Sequence, residues 1–298
     1  MRVFNNCKNT ACVLILLVIA LLAPRTASAD LILDVSIKEV YEDNVNAALS
    51  GANANAADVR GGGAAAGGAG AVIVAAKSGD PPNATTGSTT STGTGDFYTV
   101  LSLALGASTP IDPAKQFYLK GELTHYQFSK FTDLDSTIVG INTGIIQKFS
   151  DIVSAQVAVK AKEKNYNNDL RDSTAYIGSL NLKQKLTPAF SIKEEYEYEQ
   201  NNAKSDVFSY TGHTLGVSAG YKIVPKTTLN IGYSLLMRKF KDATGSRTTD
   251  HIISAGVEAE ISKNWYATAT YDHDSYDSNV SGVSNTDNTY AVGLTYNY

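Results

Sequence analysis

Over most of its length this chain sets a large apolar residue at every second position and a small or polar one between. Tyr290, Val292, Leu294, Tyr296 and Tyr298 alternate with Ala291, Gly293, Thr295 and Asn297. A period of two puts the apolar set on one face of a β-strand. No apolar run of about 18 residues follows Ala29, so a membrane helix is not available. Alternating segments of about nine to eleven residues are instead long enough to cross a bilayer as tilted strands, with apolar side chains toward lipid and polar ones toward a lumen.

Twelve segments carry the pattern. They run 31–41, 97–107, 117–127, 137–149, 153–163 and 174–186 in the first half. In the second half they run 190–199, 213–223, 227–237, 251–261, 265–272 and 290–298. The links between them alternate in length. Short turns hold Thr109 to Pro113, Ser150-Asp151, Thr187-Pro188-Ala189, Val224-Pro225-Lys226 and Ser262-Lys263-Asn264. Longer polar links run 129–135, 165–173, 201–212, 241–250 and 273–289.

Short turns at one end and long loops at the other predict an all-β, antiparallel up-and-down transmembrane barrel with both termini on the periplasmic side. Phe117, Phe149, Phe190, Tyr221, Trp265 and Tyr298 fall near that side, where an interfacial aromatic girdle belongs. The competing expectation is a soluble sandwich, whose sheets also alternate.

Arg2 and Lys8 precede the apolar run Val13 to Ala23, and Ala27-Ser28-Ala29 forms a small-x-small site. Residues 1–29 therefore read as a secretory signal peptide removed before Asp30, leaving 30–298 as the barrel. Both cysteines, Cys7 and Cys12, lie in that leader, so the remainder has no thiol, disulfide or Cys-based metal site. Beyond the leader there are 22 basic and 29 acidic residues. This mild acidity leaves no electrostatic footprint for nucleic acid, and it suits a surface facing outer-membrane lipid and lipopolysaccharide through bridging cations.

If the large apolar residues face lipid, the opposite parity lines the lumen. That parity holds Lys120, Glu122, Lys160, Lys162, Lys183, Lys193, Glu195, Glu197, Arg238 and Glu258, with Gly, Ser, Thr and Asn between. A hairpin turning at Thr187-Pro188-Ala189 sets Lys183 opposite Lys193 and Asn181 opposite Glu195. Like charges facing each other are unfavourable, so Glu195 and Glu197 are expected to interleave with the lysines. Glu194 breaks the pattern by falling among the outward residues Ile192 and Tyr196. Three accounts are open: a bulge turns it inward, it meets a neighbouring subunit, or the register slips by one.

Residues 44–95 are rich in Ala, Gly, Thr, Asn and Ser and cannot bury enough large apolar surface to fold alone. By connectivity they form the first extracellular loop, read either as a tether or as a segment folded into the lumen. Ten or fourteen strands remain open counts.

Chemistry is sparse. His125, His213 and His251 have outward parity. Asp272-His273-Asp274 with Asp277 is the one cluster that could activate water or hold a divalent cation, against the plainer reading of a solvated acidic loop. No Gly-x-Ser-x-Gly, His-Glu-x-x-His or phosphate loop occurs. The expectation is no catalytic residue, no metal and no cofactor.

Two stretches carry a resemblance. The terminal strand, with Tyr290, Val292, Leu294, Tyr296 and Tyr298, resembles the signal that hands Gram-negative outer-membrane barrels to their assembly machinery. Residues 35–45, with Glu39, Tyr41, Asp43 and Asn44, resemble the first-strand E-x-Y-x-D-N stretch of a porin-like outer-membrane β-barrel family, some members of which accompany exopolysaccharide loci. The resemblance implies a porin-like barrel of unassigned substrate in the cell outer membrane and supplies no catalytic residue. The expected function is a passive or weakly selective channel. The alternative is a closed structural barrel whose outer loops bind polysaccharide or a protein.

Overall fold

The computed structural model describes residues 29–43, 95–241, 245–279 and 285–298. The expected leader and the 44–95 segment lie almost entirely outside the described residues. Twelve strands form one closed sheet: β1 (Asp30–Glu42), β2 (Asp96–Asp112), β3 (Lys115–Phe128), β4 (Ser136–Lys148), β5 (Val153–Tyr166), β6 (Ser173–Lys185), β7 (Phe190–Ala203), β8 (Tyr210–Val224), β9 (Thr227–Phe240), β10 (Arg247–Ser262), β11 (Trp265–Ser278) and β12 (Asn285–Asn297). Each strand pairs antiparallel with its sequence neighbour, and β12 pairs with β1 to close the barrel. Closure leaves no sheet edge, so every strand has partners on both sides.

The pairs define the tilt. From Asp30 the register runs through Ser108, Tyr118, Gly144, Ala158, Ser179, Glu197, Thr214, Leu236, Asp250 and Tyr276 to Asn285. Extending the β12–β1 register by four residues from the pair Glu42–Thr289 returns it sixteen residues above Asp30. Twelve strands with that stagger tilt by about 45° and enclose a backbone cylinder roughly 24 Å across.

The alternation sorts the side chains. Leu31, Val35, Leu101, Val157, Leu180, Ile231, Ile253 and Val292 are exposed on the outside although large and apolar. In water such a continuous apolar wall would have to be covered; in a bilayer it meets hydrocarbon. The three register irregularities, near Asp112, Val224 and Ser262, all sit at the short turns. Asn264 completes one of these turns at φ 69°, a backbone that Asn tolerates.

The strands extend further outward than the periodicity predicts. β7 reaches Ala203, β8 starts at Tyr210, β11 runs to Ser278 and β12 begins at Asn285. The reason is physical: above the lipid the outer face need not be apolar, so the two-residue signature fades while backbone pairing continues.

The long links after β3, β5 and β7 share one design. Each holds a single 3-10 turn: Thr132–Leu134, Asp169–Arg171 and Asp206–Phe208. After it, a side-chain oxygen reaches back to the strand just left. Phe128 N donates to Asp135 at 2.7 Å, Tyr166 N to Asp172 at 2.8 Å, and Ala203 N to the Ser209 hydroxyl at 2.8 Å. Successive turns are then tied together. Asn167 N donates to Asp135 O at 2.9 Å, Lys204 N to Asp172 O at 2.9 Å, and Lys241 N to Ser209 O at 2.9 Å. The result is a stepped rim of backbone bonds over β3 to β9.

Candidate functional site in the barrel interior

The inner face is graded along the axis. In the half nearer the short turns Asn181, Lys183, Lys193, Glu195, Glu258, Thr268 and Thr295 are half-buried. In the outer half Lys162, Lys164, Glu199, Arg238, Asp250, Asp272, Asp274 and Asp287 are buried. The upper interior is tight, and the lower interior is looser over β6, β7 and β10 to β12 but packed over β1 to β5, where Ile32, Ser108, Tyr118, Lys120, Asn142 and Ala158 are buried.

It is also divided around the circumference. β3 to β7 carry long charged side chains. Lys120 Nζ lies 2.9 Å from Glu122 Oε1 on its own strand, and Asn142 Nδ2 donates to the same carboxylate at 3.1 Å. Lys160 Nζ lies 3.2 Å from Glu197 Oε2 and Lys164 Nζ 3.0 Å from Glu199 Oε1, both reaching over β6. Lys193 Nζ lies 2.7 Å from Glu195 Oε2. Lys183 sits opposite Lys193 and Asn181 opposite Glu195. Each cation of these pairs therefore has a carboxylate, as charges removed from bulk water require. Lys162 is buried between Lys160 and Lys164 on the inward face of β5. Across the lumen, β8 to β12 carry Gly216, Ser218, Gly232, Ser254, Gly256, Thr270 and Gly293 at middle height, and a small cavity, about one water molecule in size, lies against β9 to β11.

Arg238 and Asp250 pair near the outer end of that wall. Arg238 Nη1 lies 3.5 Å from Asp250 Oδ2, and its guanidinium carbon is 5.0 Å from the Tyr210 ring centroid. Arg171, from the middle rim turn, lies 4.8 Å over the Phe208 ring of the next turn. Cation–π contact holds both guanidinium planes in place.

The inner face is not polar throughout. Val40, Tyr98, Val100, Tyr126, Phe128 and Ile138, all from the outer ends of β1 to β4, form a buried apolar cluster. Leu134, 1% exposed, drops into it from the first rim turn. The expectation that Gly, Ser, Thr and Asn fill the space between charges therefore fails here. Period two cannot decide which face is buried where both parities are apolar, as at Phe97-Tyr98.

Parity also splits the Asp272-His273-Asp274 cluster. These residues belong to β11, not to a loop. Asp272 and Asp274 face inward and are buried, whereas His273 points outward and bonds Asn288 Oδ1 at 2.9 Å. The pleat puts the imidazole and the two carboxylates on opposite sides of the wall, so they share no reaction centre.

All four histidines lie on the outer wall, each bonded to an adjacent strand. His125 pairs with Thr137 at 3.0 Å, His213 with the Tyr196 hydroxyl at 3.0 Å, and His251 with the Tyr233 hydroxyl at 2.8 Å. With His273 they fall within about 3 Å of a common height by strand register and tilt. Tyr41, Phe97, Tyr271 and Tyr290 join the same band, with tilted rings whose centroids lie 4.7 to 6.3 Å apart. This is the outer of two aromatic girdles; Trp265 and Tyr296, 5.2 Å apart, mark the inner one.

Sequence reasoning missed the buried acids Glu42, Asp96, Asp250 and Asp287. The rim turns were also missed, although the step Asp135-Ser136 recurs as Asp172-Ser173 where each of the first two turns meets its next strand.

No protein-family model and no curated protein matches the chain. Solved structures do. An outer membrane channel from Pseudomonas putida F1 is 10% identical, covers 92% of this chain and 99% of its own, and superposes with a TM-score of 0.58. The KdgM porin, solved in complex with disordered oligogalacturonate, is 12% identical, covers 89% of this chain and 99% of its own, with a TM-score of 0.45. The outer membrane channel DcaP of Acinetobacter baumannii is 13% identical, covers 92% and 98%, with a TM-score of 0.41. Identities this low speak to the fold alone. The chain is a twelve-stranded transmembrane β-barrel of the outer-membrane type.

Proposed function

We propose that this barrel is an outer-membrane channel for passive, weakly selective passage of small polar solutes. The observation that carries the reading is the divided interior. Long charged side chains stand on β3 to β7 and face small ones on β8 to β12, against which a cavity about one water molecule in size lies. A wall of Gly, Ser and Thr offers solutes hydrogen-bonding partners without bulk. Cations and carboxylates alternate within the charged wall, so neither sign of solute is strongly excluded. The inward residues Lys120, Glu122, Lys160, Lys162, Lys183, Lys193, Glu195, Glu197, Arg238 and Glu258 are assigned to lining this path. The terminal strand, through Tyr290, Val292, Leu294, Tyr296 and Tyr298, is assigned to recognition by the assembly machinery.

Liposome swelling tests the reading. Vesicles carrying the refolded protein should swell in small neutral sugars and amino acids, with the rate falling steeply as solute size rises. No swelling by folded protein contradicts it.

A second reading has its own support. The apolar cluster under Leu134 and the buried Arg238–Asp250 pair narrow the outer end. A barrel sealed there would serve through its stepped rim, as a surface that binds polysaccharide or a protein. Folded protein that is silent in swelling assays yet retained on a polysaccharide matrix would favour it.

A further inference from the structure

We infer that the lipid-facing wall of β6 to β8 is an interface between two copies of this chain, centred on Glu194. The register runs unbroken through this residue: Glu194 pairs with Leu182 on β6 and with Val217 on β8. No bulge turns it inward, and it is exposed on the outer face. It lies four residues from Phe190 in one direction and four from Tyr198 in the other. At the strand tilt above, each is about 9 Å away along the membrane normal. Glu194 is thus a mid-depth carboxyl, and among the described residues it is the one carboxylate at that depth on the outer wall. The other polar outward side chain there, Thr143, is satisfied by donating to Tyr118 O at 2.9 Å.

A carboxyl facing hydrocarbon is unfavourable at mid-depth, and an ionisable residue inside a membrane asks for a named partner. Its own barrel supplies one weak donor: Gln184 Nε2, at 3.4 Å, the long limit of a hydrogen bond. The chemistry needed is a second amide or hydroxyl donor, presented through lipid at the same depth. Another copy of this chain meets that need. Every copy shares one orientation and one depth in the membrane, so a two-fold axis along the membrane normal beside β6 and β7 brings the Gln184–Glu194 pair against its own equivalent. The second hydrogen of each Gln184 amide then reaches the facing carboxyl, in the self-complementary manner of a two-fold contact. The wall is shaped for close approach. A Cβ on Gly178 of β6 would meet nothing within 4 Å, so the surface is recessed two residues above Leu180.

Thiol crosslinking in the outer membrane of a Gram-negative host tests this directly. The chain has no cysteine besides Cys7 and Cys12, so the Cys7→Ser, Cys12→Ser background carries a single introduced thiol. Under oxidation, Leu182→Cys should give a covalent dimer. Ile37→Cys, on β1 half a circumference away, should not. Adding Glu194→Leu should lower the crosslinked fraction on the order of tenfold, because the interprotomer hydrogen bonds are lost while lipid accepts leucine. Glu194→Gln, which keeps donor and acceptor, should retain it. Heat-modifiable gel mobility would confirm that each variant is folded. Equal crosslinking at Leu182→Cys and Ile37→Cys, or an unchanged yield with Glu194→Leu, overturns the proposal. Neither outcome bears on whether the lumen conducts.

Discussion

Lys160 on β5 and Glu197 on β7 form an ion pair across the intervening strand, Nζ to Oε2 at 3.2 Å, with side chains 9% and 4% exposed. Breaking a buried pair from one side leaves the other charge without its partner. Glu197→Ala should destabilise the barrel by about 3–5 kcal/mol by that argument. The double variant Lys160→Met, Glu197→Leu should recover most of the loss. Urea unfolding in lipid vesicles measures both, and a double variant no better than the single one would contradict the pairing.

Asp96 holds the base of the first rim turn. Its fully buried carboxylate accepts from Phe97 N at 2.8 Å, Lys130 N at 3.0 Å and Phe131 N at 3.1 Å. Each hydrogen bond to a charged group contributes about 1.5–3 kcal/mol. Asp96→Ala should free residues 129–135 while leaving the sheet paired. Protease added to intact cells should cleave at Lys130 in the variant and spare the wild type.

The outer end of the β1–β12 seam should weaken as pH rises. Asp43 lies just beyond β1 and accepts from Asn288 N at 2.8 Å and Asn288 Nδ2 at 2.7 Å. Burial, and then its hydrogen bond with Asp287, nevertheless hold its carboxyl above the ordinary value of 3.8. A carboxyl raised on folding contributes stability that is fully present below 3.8 and is lost as pH rises through the folded value. Asp43→Asn imitates the protonated form and should remove the dependence. Amide exchange at Asn288, corrected for intrinsic rates, reads it: protection that falls with pH in the wild type and stays level in the variant.

The sheet was legible because lipid enforces the alternation; where lipid ends, legibility ends. The Lys183–Lys193 opposition follows from the turn at Thr187-Pro188-Ala189, since a short turn fixes the register of its hairpin. Lys160–Glu197 was out of reach. It depends on the β5–β6 register, which a long link containing a 3-10 turn sets, and on side chains long enough to span a strand. Asp274 fell in the expected link 273–289 because a strand above the membrane can be polar on both faces. Glu194 was visible as an exception, but only the unbroken register on both sides removes the bulge and the slip.

Glycines on the inner face should differ by position. A Cβ at Gly106 would overlap the Leu119 carbonyl oxygen of β3, whereas at Gly232 its nearest neighbour is the Ser218 Cβ at 3.4 Å. Gly106→Ala must push β2 and β3 apart and should cost about 1–3 kcal/mol, the usual range for overpacking. Gly232→Ala should be close to neutral. Comparing their urea midpoints checks the contrast.

Single-channel recording in planar bilayers tests the channel assignment most directly. Wild-type protein should give discrete conductance steps with little preference for cations over anions, and Gly232→Leu, which adds bulk to the small-residue wall, should give smaller steps. Heat-modifiable, correctly folded protein that yields no steps, or a Gly232→Leu variant with wild-type steps, would contradict passage along that wall.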